Sequence, residues 1–275
     1  MADLGVPEET TEYRDPPDVL QKKIKQLANL IKQSQYMVAY TGAGISTSTG
    51  IPDFRGPQGV WTLRAKGLSA SRAPRAGRPR PSLTHMALAE LQNRGKLKYV
   101  VSQNTDGMHR RSGIAKSKLA ELHGNTNMEI CRNCGREYWR PFSTREARDV
   151  LDHRTSRKCD KCGHQLHDTI VNFSEPLPSG TLHRAMEHSD RADLGLVLGT
   201  SMRVSPAADL PIRIVRHRKP LVIVNLQKTP ADELAAVCIF GKTDEVMEGV
   251  MRELGIDIPP TYDLLDEPRE KQPER

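Results

Sequence analysis

Two cysteine pairs carry the plainest chemistry in this chain. Cys131-Arg132-Asn133-Cys134 and Cys159-Asp160-Lys161-Cys162 are CxxC knuckles, each followed by glycine, and four thiolates so spaced suit one tetrahedral zinc ion. Four protein ligands leave no open coordination position, so the metal is expected to be structural, with a helix or loop in the 24-residue gap between the pairs. A redox role would need only one pair, and replacement of a thiolate by His153, His164 or His167 is the lesser alternative. A second chemistry is proton transfer. A lone histidine is more often structural, but His123, in Glu121-Leu122-His123-Gly124-Asn125, is the best general-base candidate, because an imidazole near a cofactor accepts a proton at neutral pH. The other eight histidines read as surface or packing residues. A third feature is the turn Thr41-Gly42-Ala43-Gly44-Ile45-Ser46-Thr47, whose glycines let the backbone approach a pyrophosphate and aim a helix at 46–49 toward it. Taken alone the turn fits mere packing equally well: Thr47 stands where a dinucleotide fingerprint has its third glycine, and no acidic residue ends the second strand to grip a ribose.

These groups need a scaffold. Four apolar runs, Met37–Tyr40, Lys98–Val101, Leu194–Leu198 and Leu221–Val224, read as buried strands, each followed by polar or turn residues and then a helical pattern. Ile24, Leu27, Leu30 and Ile31 recur at helical spacing ahead of the first run, and Met86, Leu88 and Leu91 ahead of the second. The alternation predicts an α/β fold, a Rossmann-like parallel sheet with helices on both faces. Residues 19–126 and 176–260 are assigned to it, and 127–175 to a small inserted zinc-binding module. In an open parallel sheet a ligand binds beyond the carboxyl ends of the strands. Those ends here are the glycine turn, Ser102-Gln103-Asn104-Thr105-Asp106-Gly107, Gly199-Thr200-Ser201 and Asn225-Leu226-Gln227. Four ends rich in hydrogen-bonding groups are hard to explain as solvated turns. Close to the glycine turn lies Gly50-Ile51-Pro52-Asp53-Phe54-Arg55-Gly56-Pro57, with a rigid proline, an aromatic and a charge pair that alone would read as a surface contact.

The formal charge of +7 over 275 residues favours acidic partners such as nucleic acid or chromatin. No run of about 20 apolar residues appears, and Met1 to Asp18 is acidic and polar, so the expectation is a soluble intracellular protein with no membrane contact. Five cysteines are too few for a disulfide scaffold, and Cys238 reads as a small buried apolar residue. Residues 1–18 and 261–275 have the composition of disordered tails. Residues 64–81 carry six basic side chains and no acid, which suits either a mobile, solvated insert or a loop that contacts DNA phosphates.

The motifs GAGIS, GIPDFR, QNTDG, ELHGN, two CxxC pairs, GTS and VNLQ, in this order over roughly residues 20–258, resemble the sirtuin family. GPQGVWT (56–62), CGHQLHDTIV (162–171) and VNLQKTP (224–230) resemble its nuclear class IV branch. The resemblance implies an NAD-dependent protein-lysine deacylase with NAD and zinc as cofactors, releasing nicotinamide and O-acyl-ADP-ribose. It implies that Gly42, Ala43, Gly44 and Thr47 hold the pyrophosphate while Asp53, Phe54, Arg55 and Trp61 close over the cofactor. Ile51 and Asp106 would take the nicotinamide carboxamide, and Gln103, Asn104 and His123 would face its ribose. Gly199, Thr200, Ser201, Asn225, Gln227 and Thr243 would line the adenosine side. His123 would be the catalytic base that deprotonates a ribose hydroxyl. The acyl-lysine substrate, a histone or other chromatin protein, would lie extended along Phe173-Ser174-Glu175 and Met202-Arg203-Val204, in the manner of strand addition. The resemblance further implies placement in the nucleus, with DNA or nucleosome contact through the loop from Arg64 to Arg80. Ser174 departs from the family, which usually has glycine there. Protein mono-ADP-ribosylation would use the same cofactor, and a chromatin-associated reader of NAD or ADP-ribose with little turnover would have no need of His123, Asn104 and Asp106. A hydride-transfer dehydrogenase is disfavoured by the missing acidic residue after the second strand.

Overall fold

The structure, a computed structural model, describes residues 10–68, 79–147, 149, 151–261 and 263. In chain order the elements are α1 (Pro17–Gln33), β1 (Met37–Thr41), α2 (Val60–Ala65), α3 (Leu83–Asn93), β2 (Leu97–Ser102), α4 (Met108–Arg111) and β3 (Leu119–Glu121). Then come β4 (Met128–Cys131), β5 (Glu137–Trp139), β6 (Arg154–Lys158) and β7 (Gln165–Asp168), followed by α5 (Ser179–Arg191), β8 (Leu194–Leu198), α6 (Asp209–Arg216), β9 (Leu221–Val224), β10 (Val237–Ile239) and α7 (Thr243–Leu254). Six strands form a wholly parallel sheet in the order β10-β9-β8-β1-β2-β3. From β1 the chain builds outward through β2 and β3 and later returns to build the other side, so the strand order reverses between β1 and β8.

Every residue of β1 is buried, as a central parallel strand covered on both faces requires. Met37 and Ala39 face the layer of α1, α3 and α7, whereas Val38 and Tyr40 face α5 and α6. The predicted amphipathic helices carry this packing: Ile24, Leu27 and Ile31 of α1 and Leu88 and Leu91 of α3 are buried. Residues 128–168 form a second, antiparallel sheet in the order β5-β4-β7-β6. Among the described residues no helix is long and apolar enough to cross a membrane.

Several expectations are corrected. Of the two connections expected between the cysteine pairs, the loop is present, with the short strands β5 and β6 at its ends, and no helix occurs among the gap's described residues. No α-helix follows β1; Ala43–Ile45 and Thr47–Thr49 are single 3-10 turns. Ser46, Thr47, Ser48 and Thr49 are poor helix formers, and Gly50 turns the chain at φ +82° before Pro52. Residues 10–18 are no free tail. The Tyr13 N–H donates to the Leu226 carbonyl at 2.7 Å, the Asp15 N–H donates to that of Phe240 at 2.8 Å, and α1 starts at Pro17, where a missing N–H costs nothing. Asp263, assigned by composition to the C-terminal tail, is 1% exposed and paired to the buried Arg111 at 2.6 Å. Of the basic segment 64–81, Arg64 and Ala65 close α2, while 69–78 lie outside the described residues, as do 1–9, 262 and 264–275. Cys238 is half-buried in β10; its thiol donates to the Asp232 carbonyl, and burial pushes its pKa up to about 11.

Candidate active site and metal centre

The reversal between β1 and β8 brings two glycine loops into backbone contact. The Gly44 N–H donates to the Gly199 carbonyl at 2.9 Å. A Cβ on Gly42 would lie 2.6 Å from the Gly199 oxygen, and one on Gly44 would lie 2.7 Å from the Gly199 Cα. Gly199 itself has φ +58°. Packing therefore demands Gly42 and Gly44 whatever the turn binds. Ala43 is half-buried and Thr47 exposed, and the Thr47 hydroxyl donates to the Gly44 carbonyl at 3.1 Å.

The end of β2 ties this crossing together. The Gln103 amide donates to Thr200 Oγ1 at 3.0 Å, and the Asn104 amide donates to the Gly42 carbonyl at 3.0 Å. Asp106 accepts the Ser46 hydroxyl at 2.7 Å on one oxygen and the Met108 N–H at 2.9 Å on the other. Ser46, which sequence reasoning left out of the site, thus orients Asp106.

His123 follows β3 and is half-buried. Its Nδ1 lies 2.9 Å from the Gln103 carbonyl oxygen, which can only accept, so Nδ1 carries the hydrogen and Nε2 keeps its lone pair. Burial lowers its pKa from the ordinary 6.5 and the bond to Gln103 only partly offsets this, so the ring is a neutral base. Its backbone is clamped too. The His123 carbonyl accepts the Val171 N–H at 3.0 Å, and Gly124, at φ +79°, packs so tightly on the Thr169 carbonyl that a Cβ would lie 1.8 Å from its oxygen. Thr169 and Val171, on the segment leaving the cysteine module, are positioning groups that the sequence does not flag.

Over the cleft, the Arg55 guanidinium sits 4.5 Å above the Trp61 ring, and Phe54 and Phe173 flank Trp61 at 5.0 and 5.3 Å between ring centroids. Asp53 shapes this loop by accepting the Gly56 N–H at 3.0 Å, and burial raises its pKa. The Gln227 amide donates to the Arg55 carbonyl at 3.2 Å, and the Asn225 amide to the Gln227 carbonyl at 2.8 Å, so the end of β9 anchors the same loop. Among the described residues Ile51, Trp61, Ser201 and Thr243 form no side-chain hydrogen bond; Thr243 is buried at the first position of α7. The next residue, Asp244, accepts the Ser48 hydroxyl and the Thr84 N–H and so joins α7 to the glycine turn and α3. Its one sequence signal was an acid in the first turn of a helix.

In the module, Cys131 and Cys162 lie 3.4 Å apart at sulfur, Cys134 and Cys159 lie 3.6 Å apart, and all four sulfurs fall within 4.8 Å of one another. A zinc tetrahedron with 2.3 Å bonds has edges of about 3.8 Å, so the cage fits that ion. The two knuckles repeat one geometry. Gly135 and Gly163 both have φ +72°, and their N–H groups donate to the Cys131 and Cys159 carbonyls at 2.8 Å. Among the described residues only Leu166, Cys131 and Cys159 are buried in the module's own apolar cluster, so metal binding would supply what so small a core does not. His153 is committed elsewhere, bonded to Asp168 and Glu175.

A parallel sheet whose reversal point gathers two glycine loops and a Gln-Asn-Asp strand end, beside a histidine braced by a four-cysteine module, defines a dinucleotide-binding α/β protein with a structural metal site. The chain belongs to the Sir2 family, whose model matches residues 68–206. The glycine turn and Asn225–Gln227 lie outside that match and join the site through the hydrogen bonds above. The chain is 50% identical to the NAD-dependent protein deacetylase SRT1 of Arabidopsis thaliana over 90% of its own length and 53% of that protein's. It is 38% identical to the NAD-dependent protein deacetylase Sirt6 of Drosophila melanogaster, over 98% and 86% respectively. A solved structure described as Sir2-p53 peptide-NAD+ superposes with a TM-score of 0.65 at 34% identity, covering 85% of this chain and 99% of that one. The chain thus spans about half the length of the first of these relatives.

Proposed function

We propose that this chain is an NAD-dependent protein-lysine deacylase with His123 as general base. The observation that carries the reading is the state of His123: its Nδ1–H is spent on the Gln103 carbonyl, burial keeps it neutral, and Nε2 is left to accept a proton beside the polar strand ends. Bound NAD would supply the ribose carbon from which the acyl oxygen displaces nicotinamide. The Gly42–Gly44 backbone with Thr47 would receive the pyrophosphate, Ile51 and Asp106 the carboxamide, Gln103 and Asn104 the ribose, and Thr200, Ser201, Asn225, Gln227 and Thr243 the adenosine side. Asp53 would brace the loop on which Phe54, Arg55 and Trp61 exclude water. Residues 19–126 and 176–260 would act as the cofactor domain, and 127–175 as the zinc module that braces His123 through Thr169 and Val171.

The acyl-lysine peptide would lie between the two, along 173–175 and 202–204. In that setting Ser174 is informative: it adopts φ +74°, the left-handed conformation that glycine takes at least cost, at the position where the family usually has glycine. The basic balance and the class IV motifs favour nuclear placement, histone or chromatin substrates, and phosphate contact through the Arg64 to Arg80 loop.

The test is to incubate the protein with NAD and acetyl- and long-chain-acyl-lysine histone peptides, with and without DNA or nucleosomes, and to follow nicotinamide release and peptide mass. Mass loss equal to the acyl group, only with NAD, is expected. Nicotinamide release with a mass gain on protein would replace the reading with ADP-ribosylation, and NAD binding without either change would replace it with a reader.

A further inference from the structure

His153 lies outside the reaction centre, yet both its ring nitrogens are engaged by acids. Nδ1 is 3.0 Å from Asp168 Oδ1, and Nε2 is 2.9 Å from Glu175 Oε1. The three side chains are 11%, 0% and 11% exposed. An ionised carboxylate only accepts, so both nitrogens must donate and the ring is an imidazolium. Asp168 ends β7 of the metal module; its Oδ1 also accepts the Ile170 N–H at 2.9 Å, and its own N–H donates to the His153 carbonyl at 2.7 Å. Glu175 belongs to the strap 172–175. Its other oxygen accepts the Asn172 N–H at 2.7 Å, closing the turn that holds Ser174 left-handed and sets Phe173 against Trp61. Arg145 steadies the same turn by donating to Asn172 Oδ1 at 2.7 Å.

We propose that His153 is a positioning residue for the acyl-peptide groove, its imidazolium clamping the strap 172–175 to the end of β7 through Asp168 and Glu175. The role of the groove rests on the deacylase reading; the clamp does not. Removing the ring proton leaves one donor for two carboxylates, so one bond is lost and a lone pair faces an anion. Burial alone would depress His153, but the bonds to Asp168 and Glu175 outweigh it and its pKa is raised above 6.5. Burial raises Glu175, and the Asn172 N–H and His153 more than reverse this, so that carboxyl is lowered below 4.5. Among the described residues, Asp152, which is spent on Arg154, and His167, which is lowered by burial and stays neutral, also act on His153. The signs agree: the His153 contribution is complete below pH 6.5 and fades as pH rises through the raised folded value, and the Glu175 contribution fades only as pH falls below 4.5.

The experiment has two arms. NMR titration of the imidazole signals, with His153 assigned by its loss in His153→Gln, is expected to place it above 6.5 and to show a fall in Glu175→Gln. Strap amides should exchange more slowly in the native protein than in His153→Gln at pH 6, and equally once His153 is neutral. In the kinetic arm, at saturating NAD, the peptide KM of the native protein should rise about tenfold, the order expected for loss of one charge-assisted hydrogen bond, as pH passes through that titration, with kcat little changed. His153→Gln should have the high KM throughout. An imidazole that titrates at or below 6.5, or a His153→Gln KM that keeps the native pH dependence, overturns the clamp. If no peptide is turned over at any pH, the deacylase reading falls, and titration with amide exchange still decides the clamp.

Discussion

Gly124 gives the sharpest test of how the metal module positions His123. In Gly124→Ala, the new Cβ would sit 1.8 Å from the Thr169 oxygen, 2.4 Å from its carbonyl carbon and 2.9 Å from the Ile170 Cα, all backbone atoms with no rotamer to yield. Since C···O contacts do not close much below about 3.3 Å, the two segments must part by roughly 1.5 Å. That breaks the Val171 to His123 bond of 3.0 Å and the Asn125 N–H bond to Thr169 Oγ1 of 3.1 Å. The left-handed backbone costs an alanine about 1–2 kcal/mol, overpacking about 1–3 and each lost bond about 1, which gives roughly 4–7 kcal/mol. Gly95→Ala is the control: it also has a positive φ, +70°, but nothing lies within 4 Å of its Cβ, so only the backbone cost of about 1–2 kcal/mol applies. At about 2–4 °C per kcal/mol, thermal unfolding followed by circular dichroism should place Gly124→Ala at least 6 °C below that control. Melting of Gly124→Ala at or above the Gly95→Ala value would refute the close packing on which the argument rests.

Three further outcomes follow from the same structure. Because burial lowers His123 and the base must be neutral, kcat/KM for acyl peptide should climb with pH through an apparent pKa below 6.5, ahead of the fall that the His153 titration brings at higher pH, and should level in His153→Gln; a profile of His153→Gln still climbing above pH 6.5 would contradict it. Stripping the metal, or Cys134→Ser, should release one zinc per chain, measured by atomic absorption, and lower the melting temperature, since so small an apolar cluster cannot hold the module; unchanged unfolding without zinc would count against a structural ion. Ser174→Gly should raise stability by up to about 1 kcal/mol, the left-handed cost relieved less the entropy of a glycine, and a fall in denaturant midpoint would show that the serine contributes something else.

What the sequence reveals tracks the range of each interaction. The bounds of β8 and β9 match their apolar runs because strands covered on both faces read as continuous hydrophobic stretches. β3 and β10, three residues each at the sheet edges, are too short to leave a pattern. The cysteine cage was legible because its ligands sit in two local knuckles. Residues that act through distant backbone were not: Ser46 meets Asp106 across 60 positions, Thr169 meets Asn125 across 44, and Asp244 meets Thr84 across 160. Composition misread residues 10–18 and Asp263 for a related reason, since it registers charge and proline but not backbone partners just beyond β9 and β10 or a buried arginine. The glycine turn was ambiguous by sequence, and the structure resolves part of it: Gly42 and Gly44 answer to Gly199 as much as to any ligand.

The central claim is that Nε2 of His123 removes a proton in an NAD-dependent deacylation. The most direct measurement compares native protein with His123→Ala for single-turnover deacylation of an acetyl-lysine peptide, with NAD binding followed in parallel by calorimetry. NAD is expected still to bind His123→Ala, and the deacylation rate to fall about 10²–10⁴-fold. Deacylation at the native rate by His123→Ala would contradict the base role.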